Sequence, residues 1–159
     1  MSRIAITGIG VVTSIGTGKQ AFWDAVLAGR RGFSQVESFD TSAYRVSIGG
    51  EVKDFDPAQH VKRLDPTGIG RASQFAIGAA HLALDDAGIV PGDFDPTRSG
   101  VSMGTTSGEP NQIERFNDAL VEGQLERIGP EFMSLYPCNL IAGYVASELD
   151  FAGVNMMIP

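Results

Sequence analysis

Few residues of this 159-residue chain have the character of a catalytic group, and their surroundings argue against most of them. Cys138 is the single thiol, and a nucleophilic cysteine needs its pKa lowered by a helix N-terminus or a neighbouring base. It does precede a helix expected to start near Asn139. A lone cysteine is nevertheless more often a small buried hydrophobe, and Cys138 reads as structural. His60 and His81, the two histidines, have no second histidine, cysteine or carboxylate at metal-ligand spacing. Neither reads as a ligand or a base, and no metal or cofactor is expected. Asp85 and Asp86 are neighbours on a helix and point in different directions, which suits a solvated helix end rather than an acid/base dyad. The acids between Glu109 and Glu131 read as a solvated face.

Two glycine-rich turns raise phosphate binding and fail it. Gly8-Ile-Gly10-Val-Val-Thr13 carries threonine where the dinucleotide fingerprint needs its third glycine. Around Gly18-Lys19-Gln20, glutamine stands where a P-loop needs serine or threonine, and Thr13 where it needs the first glycine. Lys62, Arg63 and Arg71 remain. Net charge is −7, but residues 1–84 hold nine basic and seven acidic residues, against three and twelve in 85–159. A general affinity for nucleic acid is excluded on that balance, and an acidic partner would have to use a local patch in the first half. Lys62, Arg63 and Arg71 lie in that neighbourhood; the alternative is a plain solvated surface.

The elements that position these residues alternate between short strands and helices, the pattern of an α/β sheet. Arg3 to Thr7 reads as an apolar strand broken by Gly8 and Gly10, resuming at Val11 to Ser14. Lys19 to Gly29 is an amphipathic helix ended by glycine. A short strand is expected at Tyr44 to Ile48, a short helix at Pro57 to Asp65, and the longest helix at Gly70 to Ala87, stopped by Gly88-Ile89. Gly100 to Gly104 is a buried strand after a turn-rich loop beginning at Pro91. Asn111 to Glu122 is a helix, and 123–138 is irregular. The last stretch, Asn139 to Pro159, reads as a helix capped by Asn139, with Ala142, Gly143 and Ala146 allowing close backbone approach. Gly153 is the expected left-handed stop, and Val154 to Ile158 a buried strand. No linker divides the chain.

At this length one domain can bury about 70% of its unfolded surface. There is no run of about 20 apolar residues to span a membrane and no signal-peptide pattern at MSRIAITGIG. One cysteine allows no internal disulfide, so a reducing cytoplasm is the default expectation.

The order of these segments resembles the β-ketoacyl-acyl-carrier-protein synthases. The residues that carry the resemblance are RIAITGIGVVTSIG, FWDAVLAGR, ASQFAIGAAHLALDDAGI, GVSMGTTSG and the final helix–glycine–strand. It covers essentially all of residues 1–159 but less than half of a ketosynthase. The implied fold is α/β, the N-terminal half of a thiolase-like fold, with a mostly parallel sheet between helices. The implied reaction is decarboxylative Claisen condensation on a cysteine nucleophile, assisted by two histidines; Cys138, His60 and His81 match none of them. By the resemblance Pro159 sits just before the nucleophile turn, whose cysteine is the third residue beyond it. No catalytic residue is therefore expected in 1–159.

The resemblance also implies binding roles. Gly104-Thr105-Thr106-Ser107-Gly108 corresponds to the family's Gly-Thr-Gly-x-Gly loop at the acyl pocket, with Thr106 replacing the second glycine. Ser107 stands where an apolar residue often sets chain length. Leu135 matches a position that reaches across a dimer into the partner's pocket. Lys62, Arg63 and Arg71 fall in the region through which ketosynthases dock an acidic acyl carrier protein. A half-sheet ending in an apolar edge invites aggregation, so a companion is expected, either the remainder of the polypeptide or a second chain in a homo- or heterodimer. The alternative from another class is a chain-length-factor-like partner or scaffold without catalysis.

Overall fold

The computed structural model describes residues 3–90 and 92–158. In chain order the elements are β1 (Val12–Thr13), β2 (Gly16–Thr17), α1 (Lys19–Leu27), β3 (Ser34–Gln35), β4 (Ile48–Gly49), α2 (Pro57–His60), α3 (Arg71–Ala87), β5 (Val101–Gly104), α4 (Pro110–Val121), α5 (Asn139–Leu149) and β6 (Asn155–Ile158). Short 3-10 turns occupy Pro66–Gly68, Pro96–Arg98, Leu125–Arg127 and Pro130–Ser134. Two compact units result: residues 1–56 with 79–89, and 57–78 with 90–159. α3 starts in the second unit and ends in the first.

In the first unit, β1 and β2 pair antiparallel with Thr13 opposite Gly16. The Thr13 hydroxyl donates to the Gly16 carbonyl at 2.9 Å, so the residue that breaks the nucleotide fingerprint closes a tight turn instead. Gly8 and Gly10 have a packing reason. A Cβ on Gly8 would overlap the Ala83 carbonyl and Ala87, and one on Gly10 would overlap the backbone of Ala79 and Ala83. The glycines let the 8–10 segment lie directly on the last turns of α3. Residues 3–7 form no strand, with Ile4 98% and Ile6 87% exposed. A strand requires a ladder partner, and among the described residues nothing pairs with this run. The strand expected at 44–48 is reduced to Ile48–Gly49, antiparallel to Ser34–Gln35.

The second unit is built around one parallel pair. β5 and β6 run in register from Val101 opposite Asn155 to Gly104 opposite Ile158. α5 lies on both strands. Its Ile141, Ala142, Val145, Ala146 and Leu149 are buried, with Val101 in the same unit's core. Burying each of the larger side chains contributes about 1.5–3 kcal/mol. The parallel sheet of the α/β fold thus amounts, within these residues, to a single pair. β6 is not buried here: Val154, Met156 and Ile158 are 68%, 45% and 57% exposed.

The ends of α5 differ from the sequence expectation. Cys138, not Asn139, occupies the N-cap position, and no side chain caps it. The helix stops at Leu149, and the left-handed residue is Asp150 at φ 60°. Aspartate tolerates that conformation better than most residues. Gly153 serves close approach instead: its N–H donates to the Ser99 carbonyl at 2.8 Å, and a Cβ there would meet that oxygen at 2.6 Å. Ala142 and Ala146 are buried as a small-residue face should be, whereas a Cβ on Gly143 would meet nothing within 4 Å. The short helix expected to Asp65 ends at His60, and the chain continues through 61–65 as a loop. Pro91 and Pro159 lie outside the described residues.

Candidate functional site

Lys62 and Arg63 sit on that loop, between α2 and the 3-10 turn that Asp65 caps. The Asp65 carboxylate accepts from the Thr67 N–H at 2.9 Å and its hydroxyl at 2.8 Å, and these bonds hold its pKa below the usual aspartate range. The loop backbone is held from the other side by Glu148, in the last turn of α5 and only 5% exposed. One Glu148 oxygen accepts from Lys62 N at 2.5 Å and Arg63 N at 3.0 Å; the other accepts from Arg63 N at 3.1 Å and Leu64 N at 2.9 Å. Three consecutive N–H groups thus converge on one carboxylate, an intramolecular version of the backbone nests that bind anions.

The three cations are differently engaged. The Lys62 side chain is exposed and has no ion-pair partner among the described residues. Arg63 is exposed but reaches back to Asp150, Nη1 to Oδ1 at 2.8 Å. Arg71, the first residue of α3, donates to Gln74 Oε1 at 3.2 Å and lies 4.4 Å above the Phe75 ring centroid. Burial lowers the Arg71 pKa, though guanidinium stays charged at any physiological pH. The neighbourhood therefore presents one open ammonium, one guanidinium paired at the surface, and one laid along its own helix. A cleft of about 580 Å³ opens beside the loop, lined by Arg63, Leu64, Ala146, Asp150, Phe151 and Asn155 among others.

Thr106 and Ser107 occupy the loop after β5, and both are exposed. Thr105 N–H donates to the Ile158 carbonyl at 3.2 Å, one step beyond the ladder, so this loop leaves the sheet beside the end of β6. Ligands of open α/β sheets bind outside the carboxyl ends of the strands, and Thr106 and Ser107 stand at that end. The Thr105 hydroxyl accepts from Ser107 N at 3.3 Å and donates to its carbonyl, which tightens the turn. Leu135 is not brought to the same place. It is half-buried and lines a cleft of about 40 Å³ with Gln112, Arg115, Ile128 and Phe132. Phe132 is stacked between Phe116, at 5.0 Å, and Tyr136, at 5.2 Å, and this column fixes the 130–136 segment against α4.

The other residues weighed for chemistry are placed by their elements. Cys138 is half-buried against Gly108, where a Cβ would meet its Cα at 2.8 Å. His60 closes α2 and His81 lies in mid-α3. Asp86 is more than a solvated helix end. It accepts from the Ile9 N–H at 2.9 Å and pairs with Lys19, and the Lys19 bond, then the Ile9 bond, depress its pKa. Glu109, expected at the head of a solvated acidic face, is instead buried at 5% exposure because the first N–H groups of α3 take its carboxylate; Glu148 and Asp150 were not singled out from sequence. A signal existed for Glu148: it falls on the buried stripe of α5, seven and three residues along from Ile141 and Val145, where an acid has no reason to be unless it is hydrogen-bonded.

Residues 1–159 match the family model described as beta-ketoacyl synthase, N-terminal domain. The chain belongs to the β-ketoacyl synthase family and carries the N-terminal part of its thiolase-like α/β fold. Among its relatives is 3-oxoacyl-(acyl-carrier-protein) synthase 2 of Coxiella burnetii, 34% identical over 98% of this chain and 38% of the relative. The tetracenomycin polyketide synthase ketoacyl synthase alpha subunit of Streptomyces glaucescens is 39% identical over 76% of this chain and 28% of its own. Among solved structures, the ishigamide ketosynthase/chain length factor superposes with a TM-score of 0.89 at 30% identity, covering 96% of this chain and 38% of that one. The chain thus spans about two fifths of the length of such relatives. Among the described residues, no helix is long and apolar enough to cross a membrane.

Proposed function

We propose that residues 1–159 are the N-terminal segment of a cytoplasmic β-ketoacyl synthase of fatty-acid or polyketide synthesis. The observation that carries this reading is the family match along the whole of 1–159. In the complete protein an acyl group is held as a thioester on a cysteine three residues beyond Pro159. A malonyl thioester on an acyl carrier protein loses carbon dioxide, its carbanion attacks the acyl carbonyl, and the cysteine thiolate leaves. Oxyanion stabilisation by donors from outside this segment carries much of the rate. This segment supplies no catalytic group. Its contributions are a wall of the acyl pocket at Thr106 and Ser107, a dimer contact at Leu135, and carrier docking through Lys62 and Arg63, with Arg71 in support. The parallel ends of β5 and β6 favour the first role, since the loop holding Thr106 and Ser107 leaves the sheet beside the strand that leads to the nucleophile turn.

A second reading has its own support in the likeness to the ishigamide ketosynthase/chain length factor. There the chain would be a partner subunit that shapes a pocket without acylating, with glutamine or another residue in the cysteine's place. Intact mass of the full polypeptide after incubation with an acyl carrier protein thioester separates the two. A gain equal to the acyl group, lost on prior thiol alkylation, supports the condensing enzyme. An unchanged mass in a protein lacking that cysteine supports the partner subunit.

A further inference from the structure

We propose that Glu148 is a positioning residue for the carrier-docking surface: its buried carboxylate sets the backbone from which Lys62 and Arg63 project. The inference rests on the docking reading of those two cations and deepens it. Removing a carboxylate from water is costly unless its lone pairs are filled. Here the N–H groups of Lys62, Arg63 and Leu64, which belong to no helix or strand, fill them at four contacts of 2.5 to 3.1 Å. Residues 62–64 lie outside every helix and strand, and the bond from Val61 N to the Pro57 carbonyl at 2.8 Å stops just before them. A carboxylate accepting three successive N–H groups fixes the peptide planes between them, and with these the directions in which the two side chains leave the chain.

The same helical end also orients the Arg63 side chain, because Asp150, two residues after Glu148, takes its guanidinium at 2.8 Å. α5 in turn rests on β5 and β6. The cationic pair is therefore indexed to the strands by one buried group 84 to 86 residues away in sequence. An acidic partner docking through Lys62 and Arg63 meets a preset arrangement and is spared the cost of ordering the loop.

The test uses the full polypeptide that carries residues 1–159 and a holo acyl carrier protein as the probe. Affinity is measured for Glu148→Gln, for Lys62→Ala with Arg63→Ala, and for all three together. The carboxamide turns an N–H donor toward backbone donors, so the loop should be released with little change of volume. Glu148→Gln is expected to weaken binding about fivefold, and to add little once both cations are gone, because it acts through them. Amide exchange at Lys62, Arg63 and Leu64 should accelerate while Val101 to Gly104 keep their protection. If Glu148→Gln does not fold, Glu148→Asp, with the charge on a shorter arm, is expected to give the same pattern more weakly. Faster exchange with unchanged affinity would overturn the inference, as would a loss that adds in full to that of the cation variants. If Lys62→Ala with Arg63→Ala leaves affinity untouched, the docking reading itself fails and the role of Glu148 fails with it.

Discussion

Two glutamates of the second unit, Glu109 and Glu148, are each 5% exposed, and each gives its carboxylate to backbone N–H groups. Glu109 accepts from Ala72 N at 3.1 Å, Ser73 N at 2.8 Å and the Ser73 hydroxyl at 2.7 Å, at the first turn of α3. Those are the orphan donors that every helix has, at an end where the helix dipole already favours an anion. Glu148 accepts from residues 62–64, which belong to no element. The chemistry is the same and the consequence differs. One carboxylate secures the end of a helix that would persist, frayed, without it; the other fixes three consecutive peptides of a surface loop that lie in no helix or strand.

The comparison can be broken most directly by removing the helix cap. Glu109→Ala leaves buried donors unsatisfied and should cost about 3 kcal/mol in urea unfolding. Amide exchange at 62–64 should stay as it was. Glu148→Gln should cost less, about 2 kcal/mol, because loop N–H groups can turn to water. An equal loss of protection at 62–64 in both variants would erase the distinction drawn between the two sites.

A third carboxylate sharpens it from the exposed side. Asp86 takes one backbone N–H and one ammonium, and its pKa is depressed in the folded state. A depressed carboxylate contributes stability above its unfolded pKa and loses it as pH falls through the folded value. The stability gap between the parent chain and Asp86→Asn should therefore be full at neutral pH and close progressively below about pH 4. A gap that stays constant down to pH 2 would rule out this ionic role. The smallest effect is expected at Asp150→Asn. Asp150 and Arg63 are 69% and 55% exposed, and such pairs are worth about 0.2–1 kcal/mol and are screened by salt. Asparagine also tolerates the left-handed backbone. Thermal unfolding in low and high salt should show a small difference that salt removes.

Much of this architecture was legible from residue order. The α3 helix runs Arg71–Ala87 against an expected Gly70 to Ala87, α4 falls within one residue of expectation at each end, and β5 occupies Val101–Gly104. These segments carry their own period, and local pattern suffices. The misses have local causes too. Gly153 looked like a helix stop because glycine serves both positive φ and close approach, and sequence does not say which; the positive φ fell to Asp150. Ile4 and Ile6 looked like a strand because β-branched residues favour one, but a ladder needs a partner. Of the proposed site, Thr106 and Ser107 were placed at a strand end by pattern, whereas nothing local separates Leu135 from their neighbourhood.

What the sequence by itself determined is the alternation of helices and strands, the family, and the positions where cations and small residues fall. The first and last of these are written within a dozen residues or so of one another, and the family in the order of segments along the chain. Only the tertiary structure decided which acids are solvated and which are buried against backbone. Charge has no period: the apolar stripe of α5 marks Glu148 as out of place, but no local pattern names the loop 86 residues away that takes its carboxylate. Asp86, Glu109 and Glu148 are distinguished by what the fold brings to them, because a hydrogen bond is decided by a few tenths of an ångström across the chain and not by neighbours along it.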